Sequence, residues 1–249
     1  MGRRGGYDWC VLYFTSDHHF GHANIIEYCR RPFRDVDAMR EFFVAKWNEQ
    51  VEPTDQVWVL GDFALGRLDE TLKVLDELNG RKFLVPGNHD RCFPGHKKAR
   101  RERQRYLDAG FEDIFDEPVE MAIADQTVQT VQISHFPYRN TGVLDEHTVR
   151  YADHRPVDRG GWLLHGHVHE RWRIRNRQIN VGVDAWAGQP VPLAQIASII
   201  RANPKDRDVD AWPIGAGMTE EAFAQQLAST RAIMQRQLKA MGMPMMGGS

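Results

Sequence analysis

Apolar runs and amphipathic stretches alternate along the first third of the chain. Continuous apolar runs, typical of strands buried on both faces, occupy residues 9–14, 56–60 and 82–85. Between them, apolar side chains recur at helical spacing over residues 36–50 and 68–78. This alternation of strand and helix predicts parallel strands joined by right-handed crossovers. In such sheets the functional loops gather at the carboxyl ends of the strands.

The pattern changes in the second half of the chain. Residues 119–123 and 127–133 alternate apolar and polar side chains, which predicts an antiparallel hairpin. The apolar run over residues 161–164 predicts a further short strand, and a second hairpin is predicted about residues 176–177. A short helix over residues 191–200 is predicted to close the body.

The same pattern divides the chain into a body and a C-terminal appendix. One domain is predicted over residues 9–200, followed by a charged linker over residues 201–218. Thr219 is a good N-cap for a helix predicted over residues 219–241, and residues 242–249 are predicted to be a disordered tail. The apolar face of that helix can pack on the body or on another subunit, so the pattern leaves a homo-oligomer open.

Composition narrows the class of protein. The 249 residues suffice for one large α/β domain or two small ones. With 32 Lys and Arg against 34 Asp and Glu, the net charge of −2 gives no global reason to bind long nucleic acid. Three cysteines without CxxC spacing favour a reducing compartment. No apolar run reaches the roughly 18 residues of a membrane span, and the first run is too short for a signal peptide. We therefore predict a cytoplasmic protein with no membrane partner.

Three histidines alternate in the segment His165-Gly166-His167-Val168-His169, which follows a short apolar strand. Burying three imidazoles without partners would be costly, and neutral imidazole is the commonest metal ligand in proteins. Gly166 leaves room where the backbone must turn closely around an ion. The segment therefore predicts a metal site rather than a solvated polar turn.

Other polar side chains follow the remaining apolar runs at the corresponding points. In chain order they are Asp17, His19, Asp62, Asn88, His89 and His135. Taken singly, Asp17 could cap the next helix, and Asp62 is as compatible with a turn as with a metal ligand. Because strand ends of a parallel sheet share one edge, we expect the residues after the first three strands to lie close together.

Together these motifs resemble those of the calcineurin-like metallophosphoesterase superfamily. They are Asp17-x-His19, Gly61-Asp62, Gly87-Asn88-His89-Asp90, His135 and Gly166-His167-x-His169, within about residues 11–185. Two further segments, residues 20–26 and 180–184, are similar to the small bacterial and phage phosphoesterases of that superfamily. The resemblance implies an α/β fold, a four-layer α/β/β/α sandwich of two mixed sheets flanked by helices.

The resemblance also implies a two-metal site. One ion would be held by Asp17, His19 and His169, and the other by Asn88, His135 and His167. Asp62 would bridge the two ions. Mixed nitrogen and oxygen ligands favour two divalent transition-metal ions, Mn²⁺ first and Fe or Zn²⁺ as alternatives, over Mg²⁺ or Ca²⁺. His18 and His165 are expected to pack or to support ligands.

The implied chemistry is hydrolysis without a covalent enzyme intermediate. Two ions about 3.5–4 Å apart would share a water, lower its pKa to about 7 and make hydroxide available for in-line attack on phosphorus. His89 would act as general acid at the leaving oxygen, with Asp90 either orienting it or capping a helix. Substrate contacts are expected from His22, Asn24 and Arg139.

The function predicted from these inferences is a phosphodiesterase for small diesters such as cyclic nucleotides. A phosphomonoesterase is the alternative, and it would need cations for a dianion rather than room for a second ester substituent. The irregular segment over residues 139–160 is predicted to form a flap that decides between them. A nuclease is disfavoured because no aromatic and basic groove pattern is present. A metal-stabilised binding module without catalysis would have no use for His89.

Overall fold

Two five-stranded sheets pack against each other at the centre of the molecule. The computed structural model describes residues 10–116, 119–124, 128–139, 151–202, 209–216, 218–219, 221–225, 228–229 and 232. Both sheets are mixed and helices flank them, so the α/β architecture with two mixed sheets is confirmed.

The first sheet has the strand order β10-β1-β2-β3-β4. Its strands are β1 (Leu12–Thr15), β2 (Gln56–Val59), β3 (Arg81–Leu84), β4 (Phe111–Ile114) and β10 (Val191–Pro192). The first four are parallel, which confirms the crossover topology predicted from the alternation of strand and helix. Strands β4 and β10 were not predicted. Val191 pairs antiparallel with Phe14 at the sheet edge, and the helix predicted from residue 191 therefore begins at Leu193.

Five α-helices belong to the described body. They are α1 (Asn24–Tyr28), α2 (Val36–Asn48), α3 (Leu68–Thr71), α4 (Ala99–Asp108) and α5 (Leu193–Ala202). The helix predicted over residues 68–78 is only partly α-helical, since α3 continues as a 3₁₀ helix over Leu72–Glu77. Leu72, Leu75 and Leu78 are all buried, and their spacing of three matches the three residues per turn of a 3₁₀ helix.

The second sheet has the strand order β5-β6-β7-β9-β8. Its strands are β5 (Val119–Ala124), β6 (Val128–Ile133), β7 (Trp162–His165), β8 (Ile174–Arg175) and β9 (Gln178–Asn180). Both predicted hairpins are confirmed, as β5 and β8 are antiparallel to β6 and β9. Asn176 and Arg177 join β8 to β9 with φ of 46° and 59°, the left-handed conformation that tight hairpin turns require.

Two hydrophobic cores hold these layers together. Neighbouring residues of β1 point to opposite faces, so that Tyr13 lies in the core beneath helices α1–α4 and Phe14 lies in the core between the sheets. The buried residues of β2 divide in the same way, with Val57 and Val59 facing the helices and Trp58 facing the second sheet. The continuous apolar runs therefore reflect strands covered on both faces.

The chain after α5 returns to the body. Phe223 is buried, and its ring centroid lies 5.9 Å from those of both Phe33 and Phe42. Three expectations for this part of the chain stay predictions: a linker over residues 201–218, a helix over 219–241, and pairing of that helix with a second subunit. The predicted tail over 242–249 lies outside the described residues. Within the described residues, no helix combines the length and the apolar character needed to cross a membrane.

Candidate metal centre

The side chains predicted as metal ligands converge where the carboxyl ends of the two sheets adjoin. Loops after β1, β2 and β3 carry Asp17, His19, Asp62 and Asn88, and loops after β6 and β7 carry His135, His167 and His169. A parallel bridge between Ser16 and Gly182 joins the two sheets beside this point. The centre is thus built from both sheets.

One group of candidate ligands consists of Asp17, His19 and His169. Their donor atoms all lie within 4.8 Å of one another. The carboxylate oxygens of Asp17 accept hydrogen bonds from the backbone N–H of His167 at 3.1 and 2.9 Å. Helix α1 has Ala23 at its N-cap position with no side-chain cap, so Asp17 does not cap that helix.

A second group consists of Asp62, His135 and His167, whose donor atoms also lie within 4.8 Å of one another. His135 Nε2 lies 3.1 Å from Asn88 Oδ1, which places the predicted ligand Asn88 at the same group. His135 Nδ1 lies 2.8 Å from the carbonyl oxygen of Leu60. If Nδ1 carries the proton that this carbonyl accepts, Nε2 is left as the nitrogen that can bind a metal.

The carboxylate of Asp62 faces both groups. Its Oδ2 lies 3.5 Å from His19 Nε2 and 3.4 Å from His135 Nε2. Its Oδ1 accepts a hydrogen bond of 2.8 Å from the backbone N–H of His89. One oxygen between two imidazoles of different groups is the arrangement that a bridging ligand needs.

The donor set fits two divalent metal ions. Both ring nitrogens of His19 are buried without a hydrogen-bond partner, a costly state for a polar group that metal binding would relieve. Burial lowers the pKa of His19 and of His167 well below the usual range, so both imidazoles are neutral and offer lone pairs. Neutral imidazoles and carboxylates are donors that divalent metal ions bind, so these residues fit such ions.

The backbone at the centre is strained. Five of the candidate ligands have φ in the left-handed region: Asp17 at 61°, His19 at 54°, Asp62 at 52°, His167 at 71° and His169 at 49°. Such conformations cost of order 1–3 kcal/mol each and persist where the surroundings enforce them, commonly at functional sites. A methyl group at Gly166 would overlap Ser16 Oγ and lie 2.5 Å from Asp17 Oδ2, so this close approach requires glycine.

Two buried charged residues complete the first group, and sequence reasoning missed the role of both. His169 Nδ1 lies 2.9 Å from Asp184 Oδ2, and Arg31 holds the same carboxylate with two bonds of 2.8 Å. A carboxylate behind a metal-binding histidine fixes its ring and tautomer. Asp184 ends one of the segments that carry the family resemblance, whereas Arg31 stands beside Arg30 and no pattern distinguishes the two.

His89 and Asp90 occupy different environments. His89 is exposed, and its ring centroid lies 5.1 Å from that of His19 and 5.9 Å from that of His22. Asp90 is fully buried, and its oxygens accept hydrogen bonds from four backbone N–H groups, those of Asp62, Phe63, Ala64 and Gly87. Helix α4 has Lys98 at its N-cap, so Asp90 does not cap it. The hydrogen bonds of Asp90 position the Asp62 loop, and the catalytic role of Asp90 beside His89 stays a prediction.

A cavity of about 550 Å³ opens above the candidate ligands. His22 and His89 line it, together with Arg155, Arg171 and Arg175. Asn24 and Arg139, both predicted to contact substrate, do not belong to its lining. The exposed Arg139 side chain instead donates from Nε to the carbonyl oxygen of Ala152 at 2.9 Å.

Only part of the predicted flap over residues 139–160 is described. Residues 140–150 lie outside the described residues, and the returning part packs against the second ligand group. The Tyr151 ring stacks on Phe136 with centroids 5.3 Å apart, and Phe136 lies 4.9 Å from the ring of His167. The segment predicted as a flap is therefore held against the second ligand group at Tyr151, its first described residue after Arg139.

His18 and His165 are packing residues, as expected. His18 stacks on Phe20 with centroids 5.2 Å apart, and His165 lies 4.8 Å from the ring of Trp172. Burial lowers the pKa of each histidine to about 3, so both are neutral.

Comparison with known proteins places this centre in a family. The family model for calcineurin-like phosphoesterases matches residues 11–185, a span that contains every candidate ligand. The chain belongs to the calcineurin-like phosphoesterase family. It is therefore a metal-dependent phosphoester hydrolase of a family that uses dinuclear divalent metal centres.

Relatives of this phosphoesterase come from phages and an archaeon. The chain is 35% identical over 200 residues to the Gene 66 protein of Mycobacterium phage D29, covering 76% of this chain and 95% of the relative. It is 27% identical over 198 residues to an uncharacterised protein of Methanocaldococcus jannaschii, covering 76% and 90%. A crystal structure of a protein of unknown function from Aquifex aeolicus matches with a TM-score of 0.55 at 25% identity, covering 77% of this chain and 100% of that one.

Proposed function

We propose that this calcineurin-like phosphoesterase is a phosphodiesterase that hydrolyses small phosphodiesters such as cyclic nucleotides. The position of Asp62 carries the proposal. One of its carboxylate oxygens lies 3.5 and 3.4 Å from imidazoles of the two ligand groups, and the other accepts a hydrogen bond from His89 N–H. The same side chain thus couples both groups to the proposed general acid.

The proposed metals are two divalent transition-metal ions, with Mn²⁺ favoured and Fe or Zn²⁺ as alternatives. Asp17, His19 and His169 would hold one ion, and Asn88, His135 and His167 the other, with Asp62 shared. When bound, two such ions lower the pKa of a shared water from 15.7 to about 7 and neutralise charge on phosphoryl oxygens.

The side chains around the ligands supply binding and proton transfer. His89 donates a proton to the leaving oxygen, and its exposure to solvent allows the imidazole to be reprotonated between turnovers. Arg155 lines the cavity, so its guanidinium can donate to a phosphoryl oxygen of a bound substrate. Asp90 keeps the Asp62 loop in place through its bonds to backbone N–H groups.

The cavity supports a diester rather than a monoester. A volume of about 550 Å³ is within the range of about 300–1,000 Å³ that is typical of small-molecule sites, so a second ester substituent has room. Apolar side chains such as Ile25 and Val168 line it in addition to the polar groups. The guanidinium of Arg155 is the observation that favours the second candidate, a phosphomonoesterase, because it could neutralise part of a dianion.

The experiment that separates these candidates is a metal-reconstituted activity comparison. Chelated protein receives Mn²⁺, Mg²⁺, Zn²⁺ or no metal, and is then offered bis(p-nitrophenyl) phosphate or p-nitrophenyl phosphate. Mn²⁺-dependent turnover of the diester with little turnover of the monoester is expected. Faster turnover of the monoester would favour the phosphomonoesterase instead. If the protein held two ions and hydrolysed neither ester, the proposed phosphodiesterase activity would be overturned.

We also infer a cytoplasmic location. Cys10, Cys29 and Cys92 are all free thiols. Free thiols persist in reducing compartments. Fractionation of the native source followed by detection of the protein would test the location.

A further inference from the structure

Two chain segments form the outer walls of the cavity. The first is the end of α1, which contributes Tyr28 and the adjoining Cys29. The second is the segment 168–175, which follows β7 and includes part of β8. The walls meet at His169, which has a ring nitrogen within 4.8 Å of Cys29 Sγ. Apart from His169, these walls contribute none of the proposed metal ligands, so their other residues can contact the rest of the substrate.

An aromatic face stands on the first wall. Tyr28 is 67% exposed, a large value for an aromatic side chain beside a cavity. Its ring is perpendicular to that of His22 with centroids 6.3 Å apart, and the buried Ile25 lines the cavity on the same helix. An exposed ring face next to an apolar side chain is a surface on which a planar heterocycle can stack.

Guanidinium groups stand on the second wall. Arg171 and Arg175 both line the cavity, while Glu170 is the acidic residue of this segment in the lining. The Arg175 guanidinium carbon lies 5.4 Å from the ring centroid of Trp172, which orients the side chain. Arginine forms paired hydrogen bonds to phosphate oxygens, so two guanidinium groups at this wall suit a second phosphate more than a neutral substituent.

We propose that the outer cavity binds a nucleoside that carries a second phosphate, so that the substrate class is nucleotide diesters with an additional phosphate group. The base stacks on Tyr28 and the second phosphate contacts Arg171 and Arg175. This proposal rests on the proposed function, because the reacting phosphodiester must lie at the metal ligands. Hydrolysis adds the oxygen of water to phosphorus and breaks the bond to the leaving oxygen, which takes up the proton.

Three diesters test the proposal on the Mn²⁺-loaded protein. Methyl p-nitrophenyl phosphate has neither a nucleobase nor a second phosphate, the dinucleotide ApA has bases and one phosphate, and pApA adds a 5′-phosphate. The expected kcat/KM for pApA is at least about tenfold above that for ApA, a factor typical of one charge-assisted contact.

Variants assign that preference to residues. The double variant Arg171→Gln, Arg175→Gln should abolish the preference for pApA by raising its KM, with ApA and the methyl ester unchanged. Arg100→Gln, which removes an exposed charge on α4 outside the cavity lining, is the matched control and should keep the preference. Tyr28→Ala should raise KM for both dinucleotides about tenfold and spare the methyl ester, whereas Tyr28→Phe retains the ring and should behave as wild type.

A binding measurement supplies a readout independent of turnover. Calorimetric titration with adenosine 3′,5′-bisphosphate should give a Kd about tenfold weaker for the double arginine variant than for Arg100→Gln. Equal kcat/KM for ApA and pApA in the wild type, or a preference that survives the double variant, would overturn the proposal while methyl ester hydrolysis continues. Loss of all three activities with metals bound would instead overturn the proposed diesterase and the substrate class with it.

Discussion

Arg31 and Asp184 form a buried ion pair that joins residues 153 positions apart in the chain. The pair has two bonds of 2.8 Å, and its side chains are only 1% and 3% exposed. Asp184 also lies 2.9 Å from His169 Nδ1, and Arg31 donates a bond of 2.6 Å to the carbonyl oxygen of Asp17. The pair therefore supports two of the three candidate ligands of the first metal ion and none of those of the second.

Replacing Arg31 by Met should empty the first metal site selectively. Asp184 would remain buried without its partner, which costs about 3–5 kcal/mol, and His169 and the Asp17 loop would lose their support. Metal analysis after dialysis should give about one ion per chain instead of two. Arg30→Met, at an exposed neighbour, is the control and should keep both ions. Two tightly held ions in the Arg31 variant would refute the supporting role.

Replacing His89 by Ala should leave metal content unchanged and lower turnover. General acid catalysis contributes roughly 10²–10⁴-fold, and the contribution is largest for leaving groups that need a proton. The loss should therefore be large for an alkyl leaving group and small for nitrophenolate, measured as kcat on matched diesters. If the variant lost metal instead, His89 would be a ligand and not the acid.

Replacing Asp62 by Ala should remove both ions and all activity, because its Oδ2 faces both ligand groups. Asp69→Ala, at a side chain that is 90% exposed, provides the comparison and should retain both ions. Metal analysis and diester turnover on the two variants give the readout. An Asp62 variant with two bound ions would exclude the bridging role.

A methyl group at Gly166 should disturb the first ligand group. The added carbon of Gly166→Ala would overlap Ser16 Oγ and press on Asp17 Oδ2, and overpacking of this kind costs about 1–3 kcal/mol. Gly161→Ala is the matched control, since a methyl group there meets nothing within 4 Å. Urea unfolding should separate the two variants, and equal free energies of unfolding would contradict the close packing seen here.

Metal loading should stabilise the fold. Each ion that binds only the folded chain adds about 2.7 kcal/mol when its free concentration is 100 times Kd, and each kcal/mol raises Tm by about 2–4 °C in a domain of this size. With two ions bound, the Tm of the Mn²⁺-loaded protein should therefore exceed that of the chelated protein by about 11–22 °C. The Asp62→Ala variant should show no such shift, and an equal shift there would place the stabilising ions elsewhere.

Local sequence determined the strands and the chemistry that follows them. The apolar runs of β1 and β2 are continuous because both strands are covered on both faces. Parallel strands direct their carboxyl ends to one edge, so the sequence alone predicts that Asp17, His19, Asp62 and Asn88 lie together. The alternation of β5 and β6 likewise fixed their hairpin, since side chains of a strand face opposite sides in turn.

Tertiary structure decided which polar side chains serve the site and which serve the fold. Asp90 follows His89 in the chain, yet its carboxylate turns inward to backbone N–H groups from two loops, a role set by contacts 26–28 residues away. Arg31 and Arg30 are adjacent and chemically identical, and only the packing that buries one of them against Asp184 makes it part of the centre. The spacing of apolar residues shows which face of a helix or strand is covered. The partner of a buried charge, in contrast, lies far away in the sequence. For this reason the sequence alone did not predict the roles of Asp90 and Arg31.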